Sequence, residues 1–342
     1  PEDEDHLEAF AAVRMFTQAA HRVEPGLAPA AEAAAIVDIC RQVEGLPLAL
    51  ELAAAWTRVL SCTEIAAELK QGTELLRADD GAHPERHASI EAVFDQSWRL
   101  LAPVERDVLA RLSVFRGGFT ADAARAVAGA ALPVLGALAD KSLLRKHDAR
   151  MQLHPLVHQF AAARLTDDAR AATEVEHARW FHRLLAHDSR AVGSGDRETL
   201  RRMDAEFENC RAAWQWAVGH GAADMLSRSE SALLNYCDHR LRNEEAQLLV
   251  RDALASPGVR ADPRCEAHLL ARAAHVEYRL DRYTDAEASA RRALPLLRAA
   301  RNRLAEVLCL NVLGSCCLRG GRFAEAREHY RHALQLALAG SD

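Results

Sequence analysis

The sequence predicts an all-α chain interrupted by one small β-hairpin, and three observations carry that expectation. Aromatic residues are only 5% of the 342 residues, and strand-forming runs are scarce. Apolar residues recur at helical spacing along most of the chain. Toward the C-terminus, similar segments recur 40 residues apart: Arg242 to Ala246, Arg282 to Ala286 and Arg322 to Ala326.

Hydrophobic content of 49% and charged content of 27% are those of a globular protein, and the length suggests two or three domains. A net charge of −6 argues against a dominant nucleic-acid or membrane surface. No apolar run approaches a bilayer span, and the opening PEDEDHLEAF is not a signal peptide. Eight scattered cysteines without a C-x-x-C pair predict buried, reduced thiols in a cytoplasmic protein. The abrupt acidic start, and an end just after a helix with no polar cap, predict a piece of a longer protein.

Residues 1–80 read as a helical subdomain. Leu7, Phe10, Val13, Met15 and Phe16 mark a first amphipathic helix, Glu24-Pro25-Gly26 breaks it, and a second is predicted over Ala30–Val43. Gly45 stands where a helix C-cap belongs, and Pro47 opens the helix LPLALELAAAW. Ser61-Cys62-Thr63-Glu64 has capping-box spacing and starts a fourth helix, predicted to run through Leu69. On physics alone, Gly45-Leu46-Pro47-Leu48-Ala49 is a tight turn between packed helices.

Residues 87–165 read as a winged-helix domain. His87–Leu101 carries a helical stripe of Ile90, Val93, Phe94, Trp98 and Leu101, and Pro103 opens the next helix. A short strand is predicted at Val114-Phe115, Thr120 caps a following helix, and Leu132–Asp140 forms another. Ser142–Arg145 and Arg150–Leu153 flank a polar turn and predict the hairpin. His154 then precedes Pro155, which suits a first helical position, so His154 by itself reads as a helix cap. The candidate recognition helix, LPVLGALAD, offers no Arg, Asn or Gln to read base edges. Its leucines read as packing, and the wing charges Arg145, Lys146 and Arg150 as a solvated face.

These blocks resemble a known family. Gly45 to Ala49 matches the Gly-Leu-Pro-Leu-Ala motif of STAND-type (NB-ARC-like) regulatory ATPases of the bacterial LuxR and SARP kind. ERHASIEAVFDQSWRLL, LSVFRGGFTADAARAV and LGALADKSLL with the hairpin resemble the family's winged helix. The resemblance implies that the turn at Gly45 holds Pro47 against an adenine ring. It also implies that His154, which matches the histidine of the family's Met-His-Asp motif, reaches the β-phosphate of ADP and latches an inactive form. Leu153 and Pro155 stand in place of the methionine and aspartate.

Residues 170–342 read as an α-solenoid. The recurring Arg251-x-Ala253-Leu254, Arg291-x-Ala293-Leu294 and Arg331-x-Ala333-Leu334 place small residues where paired helices approach. Leu313-Gly314, Ala326, Tyr330 and Ala333 fall at tetratricopeptide-like positions. Phe207, Trp214, Trp216 and Val218 mark an atypical first helical pair after a Gly193-Ser194-Gly195 loop. Arg240, Arg242, Arg279 and Arg282 are candidates for the array's binding face, against the ordinary reading of Arg on a helix surface as a solvated residue.

No G-x-x-x-x-G-K-[ST], H-E-x-x-H, G-x-S-x-G or zinc-type spacing occurs. His83 and His87 are separated by Pro84 and read as a coil pair; His177, His182 and His187, five residues apart, scatter around one helix. The expectation is therefore no catalytic or metal site in this chain. With the resemblance, it becomes the regulatory and sensor portion of a nucleotide-switched ATPase whose full-length form holds ADP or ATP, with Mg from a missing P-loop domain, and no cofactor is expected on this portion alone. An inducer or protein partner is expected on the repeats, self-association on activation, DNA contact only through an absent output domain, and no membrane. The alternative is a protein-interaction scaffold without nucleotide sensing.

Overall fold

The computed structural model describes residues 10–79 and 85–339, with backbone alone for 72–79 and 85–90. Leu7, His83 and the side chains of His87 and Ile90 lie outside the described residues. The chain divides into two compact units, Pro1–Thr173 and Glu174–Asp342. Regions 1–80 and 87–165 both fall in the first.

The first unit begins with α1 (Ala11–Val23), α2 (Ala33–Gln42), α3 (Pro47–Ala55) and α4 (Cys62–Asp79). The second helix starts three residues later than the sequence suggests, because Ala28–Glu32 forms turns: the Ala31 N–H donates to Ala28 O at 3.0 Å. The capping box is present, with the Ser61 N–H donating to Glu64 Oε2 at 2.8 Å and the Glu64 N–H to Ser61 Oγ at 3.3 Å. Nothing but Gly72 interrupts the pattern beyond Leu69, and α4 runs on to Asp79. α3 is buried on every side except at Pro47 and Glu51. A helix apolar all round belongs in a core, and α1, α2 and α5 (Glu85–Arg99) pack against this one.

After α5 come α6 (Pro103–Leu112), β1 (Gly118–Thr120), α7 (Ala121–Ala128), α8 (Leu132–Asp140), β2 (Arg145–His147), β3 (Arg150–Gln152) and α9 (Pro155–Ala163). Thr120 Oγ1 accepts from the Ala123 N–H at 3.2 Å, as its position predicts. The wing is a three-stranded antiparallel sheet ordered β1-β3-β2, with Phe119 and Lys146 both opposite Met151. The extra strand is not at Val114-Phe115. Those residues close the end of α6 through turn hydrogen bonds to Arg111 O and Leu112 O, and bury their side chains. The Phe115 ring then packs on Phe119 of β1 at 4.7 Å between centroids. The hairpin is also shorter than expected, since Ser142 and Leu143 donate their N–H groups back to α8. Trp56 joins the two halves of this unit through a buried Nε1–H to Ser97 Oγ bond of 3.2 Å. Lys141 ties the end of α8 to Glu105 on α6 at 2.6 Å.

α8 buries Leu135 and Leu138 and leaves Leu132, Pro133, Gly136, Ala139 and Asp140 outward. That outward face carries one acid and no base-reading side chain.

α10 (Asp167–Gly193) leads into the second unit, which continues with α11 (Arg197–Gly219), α12 (Ala223–His239), α13 (Asn243–Ala255), α14 (Pro257–Arg260), α15 (Pro263–Arg279), α16 (Tyr283–Ala299), α17 (Arg303–Arg319) and α18 (Phe323–Leu338). The 40-residue period is visible in the backbone. Leu241, Asp281 and Gly321 all take positive φ. Arg242, Arg282 and Arg322 each donate an N–H to the carbonyl five residues back, at 2.8–2.9 Å. Ala246, Ala286 and Ala326, with Ala253, Ala293 and Ala333, are buried where paired helices meet. Trp214 of α11 is buried and donates Nε1–H to Leu249 O at 3.1 Å, joining the atypical first pair to the repeats.

The helices of the last pair, α17 and α18, meet at Gly314 and Tyr330. A Cβ on Gly314 would sit 2.8 Å from the Tyr330 ring. One repeat earlier the equivalent residues are Ala274 and Ala290, so the same space is divided differently. Gly314→Ala is expected to lose about 1–3 kcal/mol of stability by overpacking. In a Tyr330→Ala background the same change should cost less than half as much, read as non-additivity of urea midpoints.

His177 and His182, two of the three regularly spaced histidines, are buried, whereas His187 is exposed. His182 Nε2 faces Ala213 O at 3.1 Å and Nδ1 faces Ser229 Oγ at 2.7 Å. A carbonyl only accepts, so the neutral ring carries its proton on Nε2. Burial holds the His182 pKa below the ordinary histidine value. Between the two values the unfolded chain binds more protons. The stabilisation is complete above about pH 6.5 and is lost as pH falls below it, at up to about 1.4 kcal/mol per pH unit. Urea titrations at descending pH should show that slope, and His182→Gln should flatten it.

All eight cysteines are free and buried. Burial pushes the Cys40 thiol up to about 11, which keeps it protonated and unreactive. No helix among the described residues is long and apolar enough to cross a membrane alone.

Candidate functional site

Two places merit description, one in each unit. The first is built around α3. Glu44 and Gly45 both adopt left-handed backbone, at φ 52° and 65°, and the Gly45 N–H donates to Cys40 O at 2.9 Å. The glycine is there for its dihedral, since a Cβ would make only an ordinary 3.6 Å contact with Ala12. This turn delivers Pro47 as the first residue of α3, where a missing N–H costs nothing.

Pro47 is exposed, and Glu51 follows it by one helical turn on the same face. These are the open positions of an otherwise buried helix. Glu51 reaches the wing: its Oε2 pairs with Arg145 Nη2 of β2 at 2.6 Å. A second bridge, Arg58 to Asp140 at 3.2 Å, spans the same seam. Arg145 is thus an inter-element contact where the sequence suggests a solvated wing charge. Glu51 gives no local signal in the sequence, because its partner is 94 residues away.

His154 is partly buried at the N-cap of α9, and its Nδ1 accepts from the Leu156 N–H at 3.2 Å. The capping role is therefore real. It also fixes the neutral tautomer, leaving the proton on Nε2. Burial and then the nearby Arg145 charge lower the His154 pKa, while Glu51 opposes them. His154 and the Glu51–Arg145 pair accordingly share one electrostatic neighbourhood. A cleft of about 460 Å³ opens along the seam, lined by Arg22, Glu51, Arg58, Asp140, Arg145 and Lys146 among others. Neither Pro47 nor His154 lines it. Among the described residues no cluster of three or more His, Cys, Asp or Glu is placed to hold a metal.

The second place lies in the repeats. Of the four candidate arginines, Arg240 is held by a two-pronged contact with Asp204 at 2.6–2.7 Å. Arg242 lies over the Phe207 ring at 4.4 Å and reaches Glu245 at 3.4 Å. Arg279 pairs with Asp238 at 3.3 Å. Arg282 instead lines a cavity of about 330 Å³ between α13, α15 and α16.

Comparison with known proteins agrees with this architecture in part. Residues 265–339 match the tetratricopeptide repeat model. A protein of Mycobacterium tuberculosis named as a candidate HTH-type transcriptional regulator is 34% identical over 222 residues, 61% of this chain and 25% of its own length. The regulatory protein AfsR of Streptomyces griseus is 26% identical over 97% of this chain and 37% of its own. The chain thus spans about a quarter to a third of the length of these relatives. The crystal structure of a signal transduction ATPase with numerous domains and a tetratricopeptide repeat sensor, from Pyrococcus horikoshii, covers 97% of this chain and 54% of its own. Its TM-score is 0.40 at 16% identity. The C-terminal part of the chain is a tetratricopeptide repeat array, and the chain is a sequence relative of bacterial regulatory proteins.

Proposed function

We propose that this chain is the regulatory and sensor portion of a nucleotide-switched signalling ATPase that controls transcription. The observation that supports it most is the ion pair between Arg145 of the wing and Glu51, which lies one helical turn after the exposed Pro47 on α3. The residues fit ADP in kind. Pro47 presents an exposed apolar ring to a base, and the His154 Nε2–H is a donor for a phosphate oxygen. ADP bound there would add an adenine face and two phosphates between this chain and a P-loop domain, which would also bring Mg. Glu51 and Arg145 hold the wing against α3, and Pro47 and His154 would each meet the nucleotide from its own element. The repeats receive an inducer or partner that favours the open, self-associating form; two sites then bias one equilibrium.

Purification of a protein that joins this chain to a P-loop domain tests the reading. Near-stoichiometric ADP released on denaturation is expected. An empty protein that still binds a partner through the repeats would favour the scaffold reading. That second reading draws on the repeat match over 265–339, and on the absence of Pro47 and His154 from the seam cleft.

A further inference from the structure

The lining of the cavity in the second unit differs from the equivalent positions of the next repeat. Shifting its lining by 40 residues gives the corresponding space between α16, α17 and α18. There Leu313 replaces Ala273, and Cys317 replaces Glu277. Glu287 replaces Gln247, and it pairs with Arg322, which stands in the place of Arg282. In that later interval a leucine stands in place of an alanine, and the arginine is held in an ion pair.

In the earlier interval neither device operates. Gln247 offers Arg282 no charge. Asp285 is one methylene shorter than Glu245 and Glu325, which pair with Arg242 and Arg322 at 3.4 Å; Arg282 makes no such pair among the described residues. Glu277 stands where the neighbouring repeats bury Cys237 and Cys317. Its Oε2 is buried without a hydrogen-bond partner, an arrangement that stability alone disfavours. Burial raises the Glu277 pKa, while a hydrogen bond with Ser289 of the same cavity and the Arg282 and Arg292 charges oppose the rise. Val250, Leu254, Leu270 and Val276 add apolar side chains to the lining beside this carboxyl and the arginine.

We propose that this cavity binds a small organic acid carrying a hydroxyl or amino group: Arg282 takes the anion, the apolar walls take the body, and Glu277 Oε2 accepts from the donor group. Arg251 and Arg292 also line the cavity, each paired with an acid of its own, Asp252 at 2.9 Å and Glu266 at 3.5 Å. The volume of about 330 Å³ is at the small end for ligand pockets and suits a single-ring molecule. This deepens the reading of the repeats as the receiving portion and rests on it for its biological meaning, though binding itself does not require nucleotide.

The test is calorimetric titration of the whole chain, without nucleotide, with 4-hydroxyphenylacetate, phenylacetate and 4-hydroxyphenylacetamide. The hydroxy acid should bind saturably and about tenfold more tightly than either analogue, which lack the donor and the charge respectively. Arg282→Gln and Glu277→Gln should each weaken it about tenfold. Ala273→Leu should abolish it, and Arg322→Gln should leave it unchanged. Thermal unfolding identifies any variant that fails to fold, and Arg282→Gln, at an exposed position, keeps the test intact if Ala273→Leu does not fold. No saturable binding of the hydroxy acid, equal binding of all three compounds, or full affinity in Arg282→Gln would overturn the proposal. Loss of acid binding with ADP still retained in the longer protein would sink this inference alone; missing ADP with acid binding intact would sink only the nucleotide reading.

Discussion

His154→Ala, in a protein joining this chain to a P-loop domain, is expected to lower ADP retention by about ten- to a hundredfold and raise basal output. The range follows from losing a hydrogen bond to a charged oxygen, worth about 1.5–3 kcal/mol. The same substitution removes the N-cap of α9, because Nδ1 no longer accepts from Leu156, and that costs about 1 kcal/mol. His154→Asn separates the two effects. Asparagine is a strong N-cap residue but lacks the reach of Nε2, so stability should return while ADP retention stays low. Chromatography of nucleotide released from the denatured protein, together with thermal midpoints, reads both. Full ADP occupancy in both variants would leave His154 with the cap alone.

Arg272→Met is expected to cost about 3 kcal/mol, the largest stability loss predicted for the repeats. Arg272 of α15 reaches across to α12 with three bonds: to Glu230 Oε2 at 2.8 Å, Asn235 Oδ1 at 2.9 Å and Ser231 Oγ at 2.9 Å. The side chains of Arg272 and Glu230 are only 17% and 10% exposed. Removing the guanidinium strands a buried carboxylate, with only His268 at 3.8 Å to compensate among the described residues. Later repeats place Leu270 and Leu310 where Glu230 stands. Glu230→Leu combined with Arg272→Met should therefore recover most of the loss, since a pair of apolar residues avoids the desolvation cost. Urea unfolding of the two single variants and the double variant measures this. A double variant as unstable as Arg272→Met would show that the bonds to Asn235 and Ser231 dominate.

What the sequence made legible was local. Ser61 with Glu64, Thr120 and His154 act through residues two to three positions away, and each cap is present. The 40-residue period was legible because small residues repeat at the helix contacts, and the same period reappears in the positive φ of Leu241, Asp281 and Gly321. What escaped was pairing over long separations. β1 is three residues with no strand pattern of its own, and it exists because β3 lies alongside. Arg145 looked like one more wing charge until Glu51 met it. The repeat cavity escaped for a different reason: Ala273 against Leu313 is an ordinary difference until the lining residues are known.

The nucleotide reading depends on an adenine lying on the first turn of α3. Photolabelling the longer protein with 8-azido-ADP and mapping the modified peptides tests this most directly. The label is expected on the segment Glu44–Glu51, with competition by unlabelled ADP. Competable label confined to other segments would contradict the assignment of Pro47, and with it the role given to the wing.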